Sequence, residues 1–78
     1  MPTVYSEKGY RFFFYSNEHL PIHIHIEKEN KTAKYDLIPI VDLVKSNGFN
    51  SSELKEIRTI IENNTELLIL KWNEYFNN

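Results

Sequence analysis

The spacing of apolar residues changes once along this chain, near Gly48, and this change restricts the folds that the chain can form. Before Gly48, apolar and polar side chains alternate, most regularly over residues 22–27, and such alternation is typical of β-strands. After it, Leu54, Ile57 and Ile61 recur at the three- and four-residue spacings that define one helix face. A block of strands followed by a block of helices predicts an α+β fold, in which two C-terminal helices pack on one face of an antiparallel sheet.

The alternating block divides into three or four predicted strands between about residues 3 and 46. A turn at Lys8-Gly9 separates a short first strand from the aromatic run of residues 10–15, and residues 22–27 form the next strand. Residues 28–31 then form a tight turn into a strand over about residues 32–38, which Pro39 ends or bends. Residues 41–45 fit either an edge strand or a helical turn. The sheet is therefore expected to contain three to four strands.

Two helices are predicted, at about residues 51–63 and 65–76. Asn50, with Glu53 three residues later, matches a capping box, although Ser51 and Ser52 are rival N-cap residues. Apolar residues occupy most of the circumference of the second helix. We therefore expect that helix to pack against both the sheet and the first helix, or to bury part of its surface in another protein.

Length and composition predict one small domain over residues 1–78. The chain is 41% hydrophobic and 14% aromatic, which is sufficient for a packed core. It has no cysteine, which excludes disulfides and thiolate metal sites and agrees with a reducing cytoplasm. It has neither an apolar leader segment nor an apolar run of the roughly 20 residues that span a bilayer. We expect a soluble, cytoplasmic protein without a membrane partner.

The net charge of −2 argues against a protein that holds nucleic acid through overall positive potential. Positive charge is nevertheless concentrated near the histidines, at Arg11, Lys28, Lys31 and Lys34. A small anionic ligand or a short RNA segment is compatible with this local bias.

All three histidines, His19, His23 and His25, fall within seven residues. Imidazole titrates near neutral pH and is the commonest metal ligand, so this cluster is the main candidate for chemistry. Strand alternation predicts that His23 and His25 lie on the sheet face away from the helices, roughly 6–7 Å apart, with His19 in the loop before them. Lys34 and Asp36 share one face of the next strand, and a suitable register would bring both into the site.

Three interpretations of the histidine cluster remain open from the residues alone. In the first, His19, His23 and His25 bind a divalent transition metal together with a carboxylate. In the second, no cofactor is needed: two imidazoles move protons during phosphodiester cleavage, while Lys34 or Arg11 stabilises the charge of the phosphorane. In the third, the alternation of His and Ile simply forms a half-buried strand with a polar outer face.

The aromatic run of residues 10–15 presents one set of side chains on each face of its strand. One of the two sets must face away from the core, where it would stack on unpaired bases or form a docking surface for a protein partner. The net charge and small size favour the protein partner. The two sets are Arg11, Phe13 and Tyr15 on one face, and Tyr10, Phe12 and Phe14 on the other.

The sequence resembles a bacterial family of domains of unknown function. The resemblance is carried by the opening Met-Pro-Thr-Val, by Gly9 before an aromatic strand, by residues 17–25 and by the closing two-helix segment with Trp72. The signature of the family reads approximately Asp/Glu-His-x-Pro-Pro-His-x-His. This chain supplies its three histidines and one proline as His19, Pro21, His23 and His25, and it departs in having Ile22 where a second proline is usual and Glu18 where Asp is common.

The resemblance implies a small α+β cytoplasmic protein that is encoded beside another small protein as the toxin of a toxin-antitoxin pair. We therefore expect the toxin component of a type II pair, bound by a small protein antitoxin. The resemblance implies no particular reaction, and the action on RNA by ribonuclease-like chemistry follows from the acid-base interpretation of the histidines. The residues expected to carry this chemistry are His19, His23, His25 and Lys34. The alternative is a non-enzymatic protein-binding module in which the histidine cluster is structural or binds a metal.

Overall fold

The structure is a computed structural model that describes residues 3–15 and 20–76, and it has an α+β architecture. Five strands form one antiparallel sheet in which the spatial order is the order along the chain, and two helices follow. The elements are β1 (Thr3–Glu7), β2 (Tyr10–Phe13), β3 (His23–Lys28), β4 (Lys31–Asp36), β5 (Asp42–Asn47), α1 (Ser51–Asn63) and α2 (Thr65–Phe76).

The sheet has five strands, so the prediction of three to four was too low. The additional strand is β5, in a segment that fitted an edge strand and a helical turn equally well. All six of its residues are exposed. The segment therefore lacks the alternation of apolar, buried residues with polar, exposed ones by which a strand is recognised in a sequence. Its pairing with β4 is also irregular: Lys34 is opposite Lys45 while Tyr35 is opposite Leu43, which leaves Val44 as the extra residue of a β-bulge.

The core lies between one face of the sheet and the two helices. Ile24 and Ile26 of β3 are fully buried there, which confirms the inward orientation that alternation predicts. In and after β2 the inward set is Tyr10, Phe12 and Phe14, each at most 1% exposed. The helices complete this core with Ile57, Ile60, Ile61, Leu68 and Trp72.

The two helices occupy the segments that the helical spacing predicts. Asn50 is the N-cap of α1, and the capping box is formed: the side-chain oxygen of Asn50 accepts from the Glu53 N–H at 2.8 Å, and the Glu53 carboxylate accepts from the Asn50 N–H at 3.0 Å. On α2, Leu68 is fully buried whereas Leu70 is 52% exposed, so only one side of this apolar helix enters the core. Within the described ranges, neither helix has the length and apolar content needed to cross a membrane.

An ion pair connects the first residue of β4 to the first turn of α1. The Lys31 ammonium lies 2.6 Å from the Glu53 carboxylate. The hydrogen bond from Lys31 lowers the pKa of Glu53, and the same bond raises the pKa of Lys31. This contact therefore stabilises the fold between the acidic pH at which Glu53 is protonated and the alkaline pH at which Lys31 loses its charge.

Tyr10 makes the stability of the protein sensitive to alkaline pH. Its hydroxyl donates to the Glu56 carboxylate at 2.8 Å, and burial together with this hydrogen bond raises the pKa of Tyr10 to about 12. The pKa of Tyr10 in the folded state exceeds the ordinary value of 10.0. The contribution of protonated Tyr10 to the stability of the fold is therefore complete below about pH 10 and is lost as the pH rises toward 12.

In a spectrophotometric titration we expect the substitution Tyr10→Phe to remove a tyrosine that ionises at about pH 12. The same variant should lose stability less steeply than the wild type over this alkaline range. The exposed Tyr75 provides a matched control, since Tyr75→Phe should leave the late ionisation in place. The pKa values of Tyr5 and Tyr35 are also raised, so the test is the number of tyrosines that ionise near pH 12. An unchanged number in Tyr10→Phe would contradict this assignment.

Candidate functional site

The face of the sheet opposite the core carries the histidines of β3. His23 and His25 alternate with the inward-facing Ile24 and Ile26, so they share the face that the sequence predicts. The centroids of the two imidazole rings are 5.2 Å apart. His19, the third histidine of the predicted cluster, lies outside the described residues.

Strand register aligns four side chains in one row across this face. Phe13 of β2 is opposite His25 of β3, His25 is opposite Lys34 of β4, and Lys34 is opposite Lys45 of β5. Residues that are directly opposite in an antiparallel pair share a face, with Cβ atoms about 4.5–5.5 Å apart. We call Phe13, His25, Lys34 and Lys45 the central row. It brings the predicted site residue Lys34 next to His25.

A second row runs beside the central row. His23 is opposite Asp36, and Asp36 is opposite Asp42. Despite this alignment, residues 3–15 and 20–76 contain no group of three or more His, Asp or Glu side chains that could hold a metal ion. Metal binding by His19, His23 and His25 together with a carboxylate therefore stays a prediction.

His23 is buried, although the sequence predicts an exposed outer-face position. His23 is only 3% exposed. Its imidazole ring contacts the ring of Trp72 of α2, at a distance of 5.1 Å between the ring centroids. Strand alternation gives the face of His23 correctly, but it cannot indicate that a residue of the last helix covers this position. His23 therefore lies beneath the surface, where it contacts His25 rather than solvent.

One hydrogen bond selects the tautomer of the neutral His23 ring. Its Nδ1 atom lies 2.7 Å from the backbone carbonyl oxygen of Pro21. Because a carbonyl oxygen can only accept, Nδ1 carries the hydrogen, and the neutral form of this ring keeps its lone pair on Nε2. The entry to β3 thereby sets the orientation of His23.

Aromatic rings surround the half-buried His25. Phe13 stacks on its imidazole at a centroid distance of 5.6 Å, and Tyr15 contacts it edge-on at 4.4 Å. The Arg11 guanidinium lies 4.3 Å from the centre of the Phe13 ring and is held by Glu27 at 2.6 Å. These contacts restrict the orientation of the His25 ring.

A concave pocket of about 380 Å³ lies over the central row. Its volume is at the lower end of the range for small-molecule sites. Of the two aromatic side chains in its wall, Tyr15 is 42% exposed and Phe13 only 3%, so Tyr15 is the ring that can stack on a ligand. The side chains that give the pocket its chemical character are Phe13, Tyr15, His25, Thr32, Lys34 and Lys45.

A comparison with known protein families gives a match over residues 9–73, to a domain of unknown function named DUF4160. The chain belongs to the DUF4160 family. No curated protein and no solved structure matches it. In this DUF4160 protein the matched range contains the three histidines and the whole central row, whereas β1 precedes it.

Lys45 is the residue of the DUF4160 pocket that the sequence interpretation missed. It lies in the segment that fitted a strand and a helical turn equally well, and only the strand brings it opposite Lys34. Two like charges in directly opposite positions destabilise a sheet. Neither lysine forms an ion pair within the described part of the chain. The pocket of this DUF4160 protein is therefore lined by two lysines, and this local positive charge favours an anionic ligand over a cationic one.

Proposed function

We propose that this protein is the toxin component of a type II toxin-antitoxin pair and that it cleaves single-stranded RNA in the cytoplasm. The observation that carries the proposal is the central row, in which His25 lies between Phe13 of β2 and Lys34 of β4, in the wall of a concave pocket. The toxin assignment is supported by the family resemblance of the sequence. The RNA substrate is supported by the chemistry of the pocket.

The pocket combines the two kinds of contact that single-stranded RNA requires. The ammonium groups of Lys34 and Lys45 attract a phosphate, and the exposed ring of Tyr15 can stack on an unpaired base. The net charge of −2 and the small size of the pocket restrict this contact to a short segment. A single-stranded substrate is favoured because a base in a duplex cannot expose its face for stacking.

In the proposed reaction, His25 accepts the proton of a 2′-hydroxyl, and the 2′-oxygen attacks the adjacent phosphorus. The 5′-oxygen then leaves and takes a proton from a second imidazole, which we assign to His19. Lys34 stabilises the negative charge that develops on the phosphorane oxygens. His23 is buried and contacts the His25 ring, so we assign it as a positioning residue rather than a proton donor.

Induced expression in bacteria tests this proposal. We expect the wild-type protein to arrest growth, and His25→Ala and Lys34→Ala to relieve the arrest at equal protein levels. Lys55→Ala is the matched control for Lys34→Ala, because Lys55 is an exposed lysine of α1, and α1 packs on the opposite face of the sheet from the central row. This variant should remain toxic. Unimpaired growth with the wild type, or full toxicity of both site variants, would overturn the proposal.

The proposed antitoxin is a small protein that we expect to be encoded beside this one, and co-expression of the two proteins tests the pairing. A type II antitoxin should restore growth and form a complex that survives purification. Toxicity that persists when the neighbouring protein is present at equal amounts would contradict the pairing.

The second candidate function is a non-enzymatic protein-binding module. Exposed apolar side chains near β5 favour it, since Ile40 is 68% exposed and Val44 50% exposed. In that case the histidine cluster is structural or binds a metal. Measurements of metal content and of thermal stability distinguish a structural cluster from a metal-binding one. A metal-binding module should contain a divalent ion and lose thermal stability on addition of a chelator.

A further inference from the structure

We propose that the free edge of β5 pairs with β5 of a second copy of this chain, so that the two sheets become one continuous sheet across a twofold axis. The proposal concerns the assembly of the protein and does not depend on its reaction. It rests on the exposure of β5, on two like-charge pairs between β4 and β5, and on the bulge at Val44.

The strand β5 is an open edge. β1 and β5 are the two outer strands, and α2 contacts β1. Every residue of β5 is exposed, including Leu43 at 36% and Val44 at 50%. An edge strand presents a row of backbone N–H and C=O groups that can pair with another strand.

Two cross-strand pairs beside this edge bring like charges together. Lys34 is opposite Lys45, and Asp36 is opposite Asp42. None of these four side chains forms an ion pair within residues 3–15 and 20–76. Like charges that face each other across two strands destabilise the sheet. A side chain of the other sign on the far side of β5 would reduce the repulsion in both pairs.

The bulge places both charges of β5 on one face. Residues three apart in a regular strand point to opposite faces. Asp42 and Lys45 are instead opposite Asp36 and Lys34, which are two residues apart on β4 and so share a face. The extra residue Val44 accounts for this change, and it gives β5 an acid and a base that project from the same surface.

The sequence Asp42-Leu43-Val44-Lys45 is then complementary to itself in an antiparallel pairing. In this register Asp42 is opposite Lys45 of the second copy, and Leu43 is opposite Val44 of the second copy. Both like-charge pairs acquire an opposite charge across the new interface, and the two exposed apolar side chains cover each other. Lysines and bulges on an edge usually prevent unspecific pairing, and here the same features select one register and one partner.

Charge reversal tests this interface. The wild type should be dimeric in sedimentation equilibrium, and Asp42→Lys or Lys45→Asp alone should weaken dimerisation by at least about tenfold, because each creates two like-charge contacts across the axis. The double variant Asp42→Lys/Lys45→Asp should dimerise again. An equimolar mixture of the two single variants should form the heterodimer, since both contacts are then between opposite charges.

The control is Lys55→Asp, which makes the same charge change on the exposed surface of α1 and should leave dimerisation unchanged. Circular dichroism shows whether each variant is folded. Hydrogen exchange of the wild type gives a measurement that needs no variant: the amides of β5 should be better protected at high than at low protein concentration. A monomeric wild type, protection that does not depend on concentration, or a folded single variant that dimerises as well as the wild type would overturn the proposal.

Discussion

Replacing Trp72 by alanine should lower the free energy of unfolding by about 3–5 kcal/mol, a large fraction of what a domain of this size has. Trp72 is 5% exposed and contacts Phe14 edge-on at 5.2 Å and Phe76 at 4.5 Å. It also covers the ring of His23 at 5.1 Å. The substitution therefore opens a cavity in the core and removes the cover of the histidine strand at the same time.

Chemical denaturation with wild type, Trp72→Ala and Leu70→Ala measures this effect. Leu70 lies two residues earlier on the same helix and is 52% exposed, so its loss should cost about 0.5 kcal/mol or less. If Trp72→Ala is too unstable to measure, the milder Trp72→Phe should still cost more than Leu70→Ala. Equal losses in the tryptophan and leucine variants would show that α2 does not pack as described.

Replacing His25 by alanine should lower the rate of cleavage of a single-stranded RNA by about 10²- to 10⁴-fold, the usual contribution of a general base. This expectation follows from the proposed reaction, in which the His25 imidazole takes the proton of the attacking hydroxyl. His25 is half-buried and ringed by Phe13 and Tyr15, so the loss in rate must be read together with a measured melting temperature.

Single-turnover assays separate the roles of the two central-row residues. His25→Ala should lower the rate at saturating enzyme, whereas Lys34→Ala should also weaken binding because it removes a charge that attracts phosphate. Lys55→Ala should behave as the wild type, since it removes an equivalent charge from the surface of α1. A folded His25→Ala protein with an unchanged rate would remove His25 from the reaction.

The helices and the inward face of β3 were predictable because their signals are local. Ile57 and Ile61 repeat at the spacing of a helix, and Ile24 and Ile26 at the spacing of a strand, so each period indicates one buried face. The capping box at Asn50 is likewise contained in a four-residue segment. These features need no knowledge of how distant segments meet.

The environment of the histidines was only partly predictable, since it depends on the register of a hairpin and on a contact with a distant helix. Alternation gave the shared face of His23 and His25, but the position of Lys34 opposite His25 follows from strand register, which the turn geometry sets. The burial of His23 follows from Trp72, which lies far along the chain. The first contact depends on the exact length of a local turn, and no local pattern in the sequence encodes the second.

The strand β5 was ambiguous for a different reason. Its six side chains are all exposed, so no alternation of burial distinguishes its residues, and the bulge at Val44 further disrupts the two-residue period. A strand of this kind is recognised from its partner β4 and not from its own composition.

The pairing of each strand with its neighbour along the chain also has a consequence for how the protein folds. Contacts within the sheet join segments that are close in sequence, so successive hairpins can form with little loss of chain entropy. Contacts such as Phe14 with Trp72 span most of the chain and form only when the helices dock. Docking of the helical layer therefore carries the larger loss of chain entropy, and a chain in which the helices are not docked exposes the apolar side of its hairpins to solvent and to aggregation.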